Sequence, residues 1–497
     1  MPNRMRRTMN HGLGIRLVVT LLLMISLFTV DMGPHVTVQP AVAAASADPL
    51  PHVSGSGAAP ASGTTKVYLP VVMRMAGPPA PPPTVFGMQM YERLNTPQAA
   101  LDLARSAQVS WVRWPLGWGS VEPRDTSPDQ YDWSSVDPSL EAASAAGLRV
   151  IATVDGNPSW AATYRGGHLD RSGLGPFVEF VGALAERYDG DGRDDAPGSP
   201  RVDYWEFYNE PDCGNEVAAQ YGCGYWGPFG AEYAQMLCAV QPAIKAANPN
   251  AKIVLGGIAL DFFLEDGGSF VKTFLDDVLQ AGGGQCIDVM NFHYYPAFSW
   301  AAYGPGLIGK ANYVRSKLAA YGLDNLEMVV TEAGWHSNND PIFPSTPQYQ
   351  ADFVVKLFTQ ARAAGLSAMM WWTWSDLPDY WGANGLLTTD LLTKPAYFAY
   401  QAARNKLGFA AFRRSLTAAE VGSADVEVYL FETLRPVYVI WPTGLNARQI
   451  KLPGRTARVT DTYDSNPVTV LDSNDGRTDG FITVTTSGHP AYVEVIE

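Results

Sequence analysis

The sequence predicts an α/β protein: a (β/α)8 TIM barrel followed by a small C-terminal antiparallel β-sandwich. Three observations support this fold class. From residue 84, a β-branched or aromatic run, a loop and an amphipathic segment recur in that order. Eight such units fit within residues 84–408, which matches a closed barrel in number and size. Beyond about residue 410 the amphipathic segments stop and only short alternating runs remain.

The barrel strands are predicted from runs rich in β-branched and aromatic residues. An open doubly wound sheet is the alternative architecture. It usually carries a glycine-rich nucleotide-binding turn after its first strand, and neither G-x-G-x-x-G nor G-x-x-x-x-G-K-[ST] follows the first strand here. The predicted strands span 84–90, 111–114, 149–154, 202–209, 252–257, 288–294, 327–332 and 368–374.

Helix starts and stops punctuate the same region. Thr96-Pro97, Asp137-Pro138 and Thr346-Pro347 each offer an N-cap residue followed by proline at the first helical position. Gly147 and Gly365 supply helix stops, because glycine adopts the left-handed conformation that ends a helix.

Residues 409–497 are predicted to form the β-sandwich. Short alternating runs such as "VEVYLFE" and "PVYVIWP" are separated by turn sequences such as "SNDG" and "SGHP". Because this region holds no cluster of catalytic residue types, a structural role is favoured over ligand binding.

The N-terminus has the order of an export signal. Arg4, Arg6 and Arg7 precede the apolar run "LVVTLLLMISLFTV", and the small residues "AVAAASA" follow. Residues 1–47 are therefore predicted to be a signal peptide of a secreted or extracytoplasmic protein, with an uncleaved membrane anchor as the alternative. Residues 48–83 are rich in Pro, Gly, Ser and Ala and are predicted to be a linker.

Charge narrows the classes of partner. The formal net charge is −14, from 49 acidic and 35 basic residues, which disfavours nucleic acid and anionic lipid as partners. A neutral partner fits better. The 14 Trp and 23 Tyr residues suit stacking on the flat faces of sugar rings.

The chain has four cysteines, which could form disulfides in the oxidising compartment that the export signal predicts. Cys213 and Cys223 flank one loop, and a disulfide between them would brace it. Whether Cys238 and Cys286 also pair is left open by the sequence. No spacing among the four resembles a zinc site, and no metal or cofactor is expected.

Two glutamates end predicted strands. Glu210 follows the fourth strand in "VDYWEFYNEPD", and Glu332 ends the seventh in "VVTEAGW". Strands four and seven lie three apart around a ring of eight, so these side chains face each other across the mouth where barrel chemistry gathers. Two opposed carboxylates are what glycosidic cleavage requires, whereas a single strand-end glutamate is more often a helix cap or ion-pair partner.

These motifs resemble those of known enzymes. "YNEPD" and "VVTEAGW", with "VRW", "HYY" and "WWTW" in the same order, look like the strand-end motifs of the retaining (β/α)8 glycoside hydrolases of clan A. The likeness covers residues 84 to about 408. It is most similar to the β-xylosidase-like family 39, because of the flanking sandwich and "WGSVEP…YDW", and is also similar to the cellulase-like family 5.

The resemblance implies roles for the strand-end residues. Glu210 would be the general acid/base and Glu332 the nucleophile. Arg113 would keep Glu332 ionised, and Tyr295 would donate a hydrogen bond to the same carboxylate. Asn209 would hold the sugar's 2-hydroxyl.

His293 is expected to position its neighbours rather than to titrate, with an ordinary buried histidine as the alternative. Trp372 resembles the family platform beneath the bound sugar. Trp118 and Trp160 are candidates for outer subsites, or else anchor their loops.

One motif departs from the family 5 pattern. Members of that family place a histidine at the end of strand three, whereas this chain has "VDGNPSWA", with Asp155 and Asn157. The contacts to the bound sugar are therefore open at this position.

Other carboxylates have simpler interpretations. Glu206 is expected to be structural, with a basic or hydroxyl partner. Asp376 and Asp379 either line the pocket or cap the next segment. "DGDGRDD" invites a calcium site, but Arg193 occupies the third ligand position, so a solvated loop is the preferred interpretation.

The sequence thus predicts a secreted retaining glycoside hydrolase that cleaves oligo- or polysaccharides with two glutamates and no cofactor. A transglycosylase on the same scaffold and a non-catalytic carbohydrate-binding protein are the alternatives. The sugar, the linkage, endo or exo action and the oligomeric state stay open.

Overall fold

Eight parallel strands close into a barrel, with neighbours in chain order and β1 paired to β8. The computed structural model describes residues 84–91, 98–220, 223–377, 382–444 and 446–497. The predicted fold class is confirmed. The strands are β1 (Phe86–Gln89), β2 (Trp111–Gly117), β3 (Arg149–Asp155), β4 (Tyr204–Asn209), β5 (Lys252–Gly257), β6 (Val289–Tyr294), β7 (Glu327–Ala333) and β8 (Ala368–Trp371).

A ring of apolar side chains fills the barrel interior. These residues come from seven of the strands, and each is almost fully buried. Such a layer makes the barrel a packed core rather than a pore, so substrate access is confined to the mouth. The layer comprises Trp111, Ile151, Tyr204, Val254, Val289, Val329, Ala368 and Met370.

Helices pack around the barrel between successive strands. In the described residues the longer ones are Gln98–Ser106, Asp137–Ala145, Gly175–Arg187, Gly230–Ala247, Phe274–Gln280, Gly306–Ala319, Pro347–Ala363 and Pro395–Leu407. Single-turn helices span Trp118–Val121, Glu216–Ala219 and Ala418–Val421. Short 3-10 helices span Trp133–Ser135, Gly227–Phe229, Leu264–Asp266, Gly283–Cys286, Ala301–Tyr303 and Asp472–Asp475.

Helix capping agrees with the sequence in part. Thr346 accepts a hydrogen bond from the backbone N–H of Tyr349, and Gly147 and Gly365 adopt left-handed backbone angles, as predicted. The prediction for Asp137 was wrong, because this residue lies inside the first turn and its carboxylate binds Arg187 at 2.6 Å and Tyr188 at 2.7 Å. Thr96 and Pro97 lie outside the described residues, as do the predicted signal peptide and linker.

The C-terminal region forms two antiparallel sheets. One has six strands in the order β14-β13-β16-β11-β10-β9, and the other pairs β12 with β15. The sequence missed β9, whose residues are mostly exposed and carry no alternating apolar pattern. The strands are β9 (Ala411–Ser415), β10 (Val426–Glu432), β11 (Pro436–Pro442), β12 (Gln449–Pro453), β13 (Thr456–Thr460), β14 (Val468–Leu471), β15 (Phe481–Thr485) and β16 (Ala491–Val495).

One face of the six-stranded sheet shares its core with the barrel. Tyr429, Trp441 and Tyr492 belong to the same buried cluster as the barrel residues. Hydrogen bonds also join the barrel to the C-terminal region. Asp352, in the barrel helix Pro347–Ala363, accepts from His489 at 2.6 Å and from Thr462 at 3.1 Å. The division between 408 and 409 remains a prediction, because Leu407 and Ala410 on either side of it belong to one buried cluster.

Both cysteine pairs lie at disulfide distance. Cys213 and Cys223 have their Cα atoms 5.9 Å apart, and the open question about Cys238 and Cys286 is answered by a Cα separation of 4.9 Å. The first pair closes the loop directly after Glu210. Among the described residues, every helix is too short or too polar to traverse a lipid bilayer.

Candidate active site

Strand β2 and the carboxyl ends of β4, β6 and β7 bring the predicted site residues together at the mouth of the barrel. Each side chain contacts at least one other member of the set, mostly through hydrogen bonds of 2.6–3.1 Å. Sequence separations between partners reach 219 residues, so only the closed ring of strands assembles the site. The set comprises Arg113, Asn209, Glu210, His293, Tyr295 and Glu332.

Glu210 is aimed into the mouth by its backbone. It follows the last residue of β4, has φ +46° and donates its N–H to the carbonyl of Gly257 at 3.0 Å. This left-handed conformation is costly for a non-glycine residue and is held by the surrounding structure. The side chain is 13% exposed, and His293 Nδ1 lies 3.1 Å from its Oε1.

Glu332 sits on the opposite wall with a hydrogen bond to each oxygen. Arg113 Nη1 donates to Oε1 at 2.6 Å, and the Tyr295 hydroxyl donates to Oε2 at 3.1 Å. The side chain is 6% exposed. Both donors stabilise the ionised carboxylate and fix its orientation.

Arg113 donates to four residues, of which Gln89 is the most distant, with its Oε1 at 3.5 Å from Nη1. Besides Glu332, its Nε and Nη2 donate to the two oxygens of Glu206 at 2.8 and 2.9 Å, and Nη2 also donates to Asn209 Oδ1 at 2.8 Å. The guanidinium therefore ties β2 to β4 and β7. Its five donors in a fixed fork make this possible, and lysine could not replace them.

Glu206 is the buried counterion of Arg113, as the structural interpretation predicted. It is 0% exposed and accepts further hydrogen bonds from Thr153 at 2.7 Å, Asn291 at 2.9 Å and Thr331 at 3.0 Å. The sequence predicted a basic or hydroxyl partner, which Arg113 and the two threonines provide, but it did not identify them or predict the amide partner Asn291. A polar residue within an apolar strand gives no indication of which side chain it meets.

The separation of the two mouth glutamates decides their chemistry. A carboxylate oxygen of Glu210, a carboxylate oxygen of Glu332 and a ring nitrogen of His293 all lie within 4.8 Å of one another. Retaining glycosidases hold their two carboxyl groups about 5–5.5 Å apart, whereas inverting enzymes need about 6.5–9.5 Å to admit a water molecule. The geometry here is that of the retaining class.

The pKa values of the two carboxyls are shifted to different extents. Burial, followed by the charge of Glu332 and then that of Asp212, raises the pKa of Glu210 well above its ordinary value. Burial also leaves the pKa of Glu332 raised, although the charge and hydrogen bond of Arg113 and the hydrogen bond of Tyr295 oppose this shift. The pKa of Glu210 is therefore the more strongly raised of the two, and Glu332 is the carboxyl with donors that favour its ionised form.

His293 supports Glu210 as a neutral ring. Burial, together with the positive charges of Arg113 and Lys310, lowers its pKa well below the ordinary value. Its Nε2 lies 3.2 Å from the Thr331 hydroxyl, which leaves Nδ1 for Glu210. This arrangement agrees with the predicted positioning role.

Trp372 follows β8 directly, and its indole N–H donates to the hydroxyl of Tyr91 at 2.6 Å. Sequence reasoning missed Tyr91, which lies beyond the end of β1. Burial and the charge of Glu332 raise the pKa of Tyr91 well above its ordinary value, so the phenol stays neutral. The only available signal was a tyrosine after a predicted strand, which is equally typical of a core residue.

Trp118 cannot serve as an outer subsite. Its side chain is 0% exposed, packs against Phe177 and Phe180, and donates its indole N–H to Glu122 at 2.8 Å. The loop-anchoring alternative is therefore correct for Trp118. Trp160 packs edge-on against it with its rings 5.1 Å away and is half-buried.

Among the residues that the structure describes, two groups of side chains have spacings that could suit a cation. One is Glu210, His293 and Glu332, where Arg113 already supplies the positive charge. The other is Asp189, Asp191 and Asp195, each of which accepts a backbone N–H of its own loop at 2.8–2.9 Å. These bonds agree with the solvated-loop interpretation of this segment.

Asp376 is occupied by neighbouring residues. It accepts hydrogen bonds from the N–H of Gly385 at 2.7 Å and from Lys394 at 3.1 Å. It therefore braces the segment after β8, which was one of its two predicted roles. Asp379 lies outside the described residues.

Comparison with solved structures shows the same fold at low sequence identity. A family 39 glycoside hydrolase from the gut symbiont Bacteroides cellulosilyticus WH2 is 20% identical with a TM-score of 0.62, over 83% of this chain and 81% of that one. A family 39 β-xylosidase from Caulobacter crescentus is 18% identical with a TM-score of 0.52, over 84% and 97%. A family 30 endoxylanase from Clostridium papyrosolvens C71 is 15% identical with a TM-score of 0.54, over 84% and 96%.

Comparison with curated proteins and with family models completes the assignment. A search among the curated proteins found no significant match. The family model described as Cellulase (glycosyl hydrolase family 5) matches residues 76–377, a span that includes both mouth glutamates. Because this match covers more than half of the chain, the protein belongs to glycosyl hydrolase family 5, whose members are retaining O-glycosyl hydrolases of clan A.

Proposed function

We propose that the protein cleaves O-glycosidic bonds of oligo- or polysaccharides by double displacement, with Glu332 as the nucleophile and Glu210 as the general acid/base. The observation that carries the proposal is the approach of their carboxylate oxygens to within 4.8 Å. The contrast in protonation supports the same assignment, since the nucleophile must be ionised and the acid must hold a proton.

In the first step, a Glu332 oxygen attacks the anomeric carbon. The proton of Glu210 passes to the glycosidic oxygen as its bond to that carbon breaks, and the sugar becomes covalently attached to Glu332. Arg113 stabilises the carboxylate before attack. Asn209, anchored by Arg113 at 2.8 Å, is placed to hold the 2-hydroxyl, whose contact strengthens as positive charge develops on the ring.

In the second step, Glu210 acts as a base. Its carboxylate takes a proton from water, the resulting hydroxide bonds to the anomeric carbon, and Glu332 leaves. Two inversions at the same carbon give net retention. When a sugar hydroxyl replaces water, the same site becomes a transglycosylase, which acceptor-dependent products would reveal.

We also propose that the protein works outside the cytoplasm. Two cysteine pairs at disulfide distance support an oxidising compartment, and the predicted export signal is consistent with one. Expression with the complete N-terminus, followed by mass spectrometry of the exported chain, would test this location. Recovery of uncleaved protein only in the cell interior would contradict it.

Chemical rescue tests the catalytic assignment, after a panel of aryl glycosides has identified a turned-over probe. Azide should restore turnover to Glu332→Gly with a glycosyl azide of inverted configuration, because the small anion attacks in place of the missing carboxylate. Azide should rescue Glu210→Ala with retained configuration, because it then attacks the glycosyl-enzyme.

The control for rescue is Glu141→Gln, on the exposed face of the helix Asp137–Ala145, which should keep wild-type turnover. A retained azide product from Glu332→Gly would refute the assignment of the nucleophile. Ligand binding without turnover in the wild type would instead favour a carbohydrate-binding protein.

A further inference from the structure

The end of β3 carries two polar side chains, and only one of them is committed to the fold. Asn157 donates to the carbonyl of Gly167 at 2.7 Å, and its Oδ1 accepts the hydroxyl of Tyr208 at 2.8 Å. Asn157 therefore fastens its loop to β4. Asp155, the last residue of β3, takes part in neither contact.

The Asp155 carboxylate is largely removed from water but poorly supplied with donors. Within the described ranges, its one hydrogen bond is from the backbone N–H of the next residue, Gly156, at 2.5 Å. Burial raises its pKa to about 6, opposed by that N–H and by the charges of Arg165 and Arg113. A carboxylate can accept about four hydrogen bonds, so most of its capacity is unused.

Arg165 lies beside this carboxylate and is exposed. In the part of the chain that the structure describes, its guanidinium has neither an ion pair nor a side-chain hydrogen bond. It packs close to two glycines, Gly156 and Gly117. A Cβ on Gly156 would lie 3.3 Å from its Nε, and a Cβ on Gly117 would lie 3.6 Å from its Nη2. Gly117 and Asp155 are register partners between β2 and β3.

Glycines also let the backbone approach this pair closely. A Cβ on Gly166 would approach Asp155 Oδ1 to 3.4 Å, and the positive φ of Gly156 disfavours any other residue there. An acceptor, Asp155, and a fork of donors, Arg165, therefore stand side by side at the end of β3. Asp155 lies on β3, between β2, which carries Arg113, and β4, which carries Asn209. Arg165 lies in the loop between β3 and the helix Gly175–Arg187.

We propose that Asp155 and Arg165 form a recognition pair for two adjacent hydroxyl groups of the sugar bound in the catalytic site. The inference rests on the proposed function. Each sugar hydroxyl both donates and accepts, so one can donate to the carboxylate while its neighbour accepts from the guanidinium. An arginine could instead bind the carboxylate of a uronic acid. The charge of Asp155 disfavours this ligand, because two carboxylates repel each other.

A kinetic cycle between enzyme and substrate tests the pair. The probes are the 4-nitrophenyl glycoside that the wild type turns over and its 3-deoxy and 4-deoxy analogues. Wild type should lose about 10- to 100-fold in kcat/KM on at least one analogue, the range for hydrogen bonds to charged groups. Asp155→Ala should lower kcat/KM for the parent glycoside by a similar factor. In this variant the parent and the deoxy analogue should then have equal kcat/KM values.

Arg165→Met should remove the loss in kcat/KM for the other deoxy analogue, the one that lacks the hydroxyl bound by Arg165. Arg171→Met is the matched control, because Arg171 is an exposed arginine of the same loop that donates to the Ser159 carbonyl, and it should keep both penalties. If Asp155→Ala fails to fold, Asp155→Asn retains the size and one acceptor and should show a reduced penalty.

Two results would overturn the pair. One is undiminished deoxy penalties in the Asp155 and Arg165 variants. The other is a preference for a glucuronide over the matching glucoside that is lost in Arg165→Met. Azide rescue of Glu332→Gly is independent of both, so a failure of this inference is distinguishable from a failure of the proposed function.

Discussion

At the scale of single residues, protonation in the site follows from unequal support of two similar carboxyls. Glu332 has a guanidinium at 2.6 Å and a phenol at 3.1 Å, whereas Glu210 has the neutral ring of His293 at 3.1 Å. The side chain of Glu332 is 6% exposed and that of Glu210 13%, so the difference in donors rather than in solvent exposure separates their pKa values.

Tyr295→Phe tests this support. The Tyr295 hydrogen bond lowers the pKa of Glu332, so its removal should raise that pKa and move the acidic limb of the kcat/KM profile to higher pH. A hydrogen bond to a charged group corresponds to a shift of about one unit. Tyr294→Phe is the control, because Tyr294 packs in the buried core, whereas the hydrogen bonds to Glu332 come from Arg113 and Tyr295. An unmoved acidic limb would show that Tyr295 does not tune Glu332.

Glu332→Gln tests the coupling in the other direction. The charge of Glu332 raises the pKa of Glu210, so its removal should lower that pKa, while burial should keep it above the ordinary value for glutamate. A titration of carbon-13-labelled glutamate carboxyls by NMR would measure the change. An unaltered Glu210 titration would contradict electrostatic coupling between the two groups.

At the scale of elements, the end of β5 is shaped by its neighbour. Gly257 ends this strand, and a Cβ there would lie 2.1 Å from Nε2 of His293 and 2.8 Å from Oγ1 of Thr331. The side chain that supports Glu210 therefore occupies the space a larger residue would need. Close approach of strand and ring requires glycine here.

Gly257→Ala should displace His293 and misplace Glu210. A shift of about 1 Å in a reacting group costs roughly 10²-fold in rate, so kcat should fall by that order. Gly182→Ala, in the helix Gly175–Arg187, is the control. An added Cβ there would meet the Cβ of Ala243, in the helix Gly230–Ala247, at an ordinary contact distance of 3.6 Å. It should leave kcat unchanged and stabilise the fold by up to about 1 kcal/mol. Wild-type kcat in Gly257→Ala would refute this tight packing.

At the scale of the whole molecule, the six-stranded C-terminal sheet shares one buried apolar cluster with the barrel, distinct from the layer inside the barrel. Tyr429 and Trp441 stack with their rings 5.1 Å apart within the shared buried cluster. Tyr438, on the same sheet, belongs to a separate cluster with the other C-terminal strands. One sheet face therefore serves the barrel and the opposite face serves the C-terminal region itself.

Trp441→Ala should destabilise both regions together. Removal of a buried tryptophan costs about 3–5 kcal/mol, and a shared core should give one unfolding transition that also abolishes activity. Denaturant unfolding, followed by far-UV circular dichroism and by turnover, would measure this. Leu434→Ala, at a fully exposed turn position, should change stability by less than about 0.5 kcal/mol. A first transition that leaves activity intact would show that the sheet is independent.

The sequence by itself determined the fold class and the two mouth glutamates. Hydrophobic periodicity marks strands and helices locally, and eight repeats leave few ways to bury them all. Strand number then places Glu210 and Glu332 on facing walls, since strand ends in a closed parallel barrel share one rim. These inferences depend only on order along the chain.

The tertiary structure alone decided which polar groups meet. The partners of Glu206, the support from Tyr91, the burial of Trp118 and the pairing of Cys238 with Cys286 all depend on side chains distant in sequence. The open position at Asp155 is of the same kind. Local patterns specify backbone conformation, whereas hydrogen-bond partners and exposure follow from how the elements pack, which no local stretch encodes.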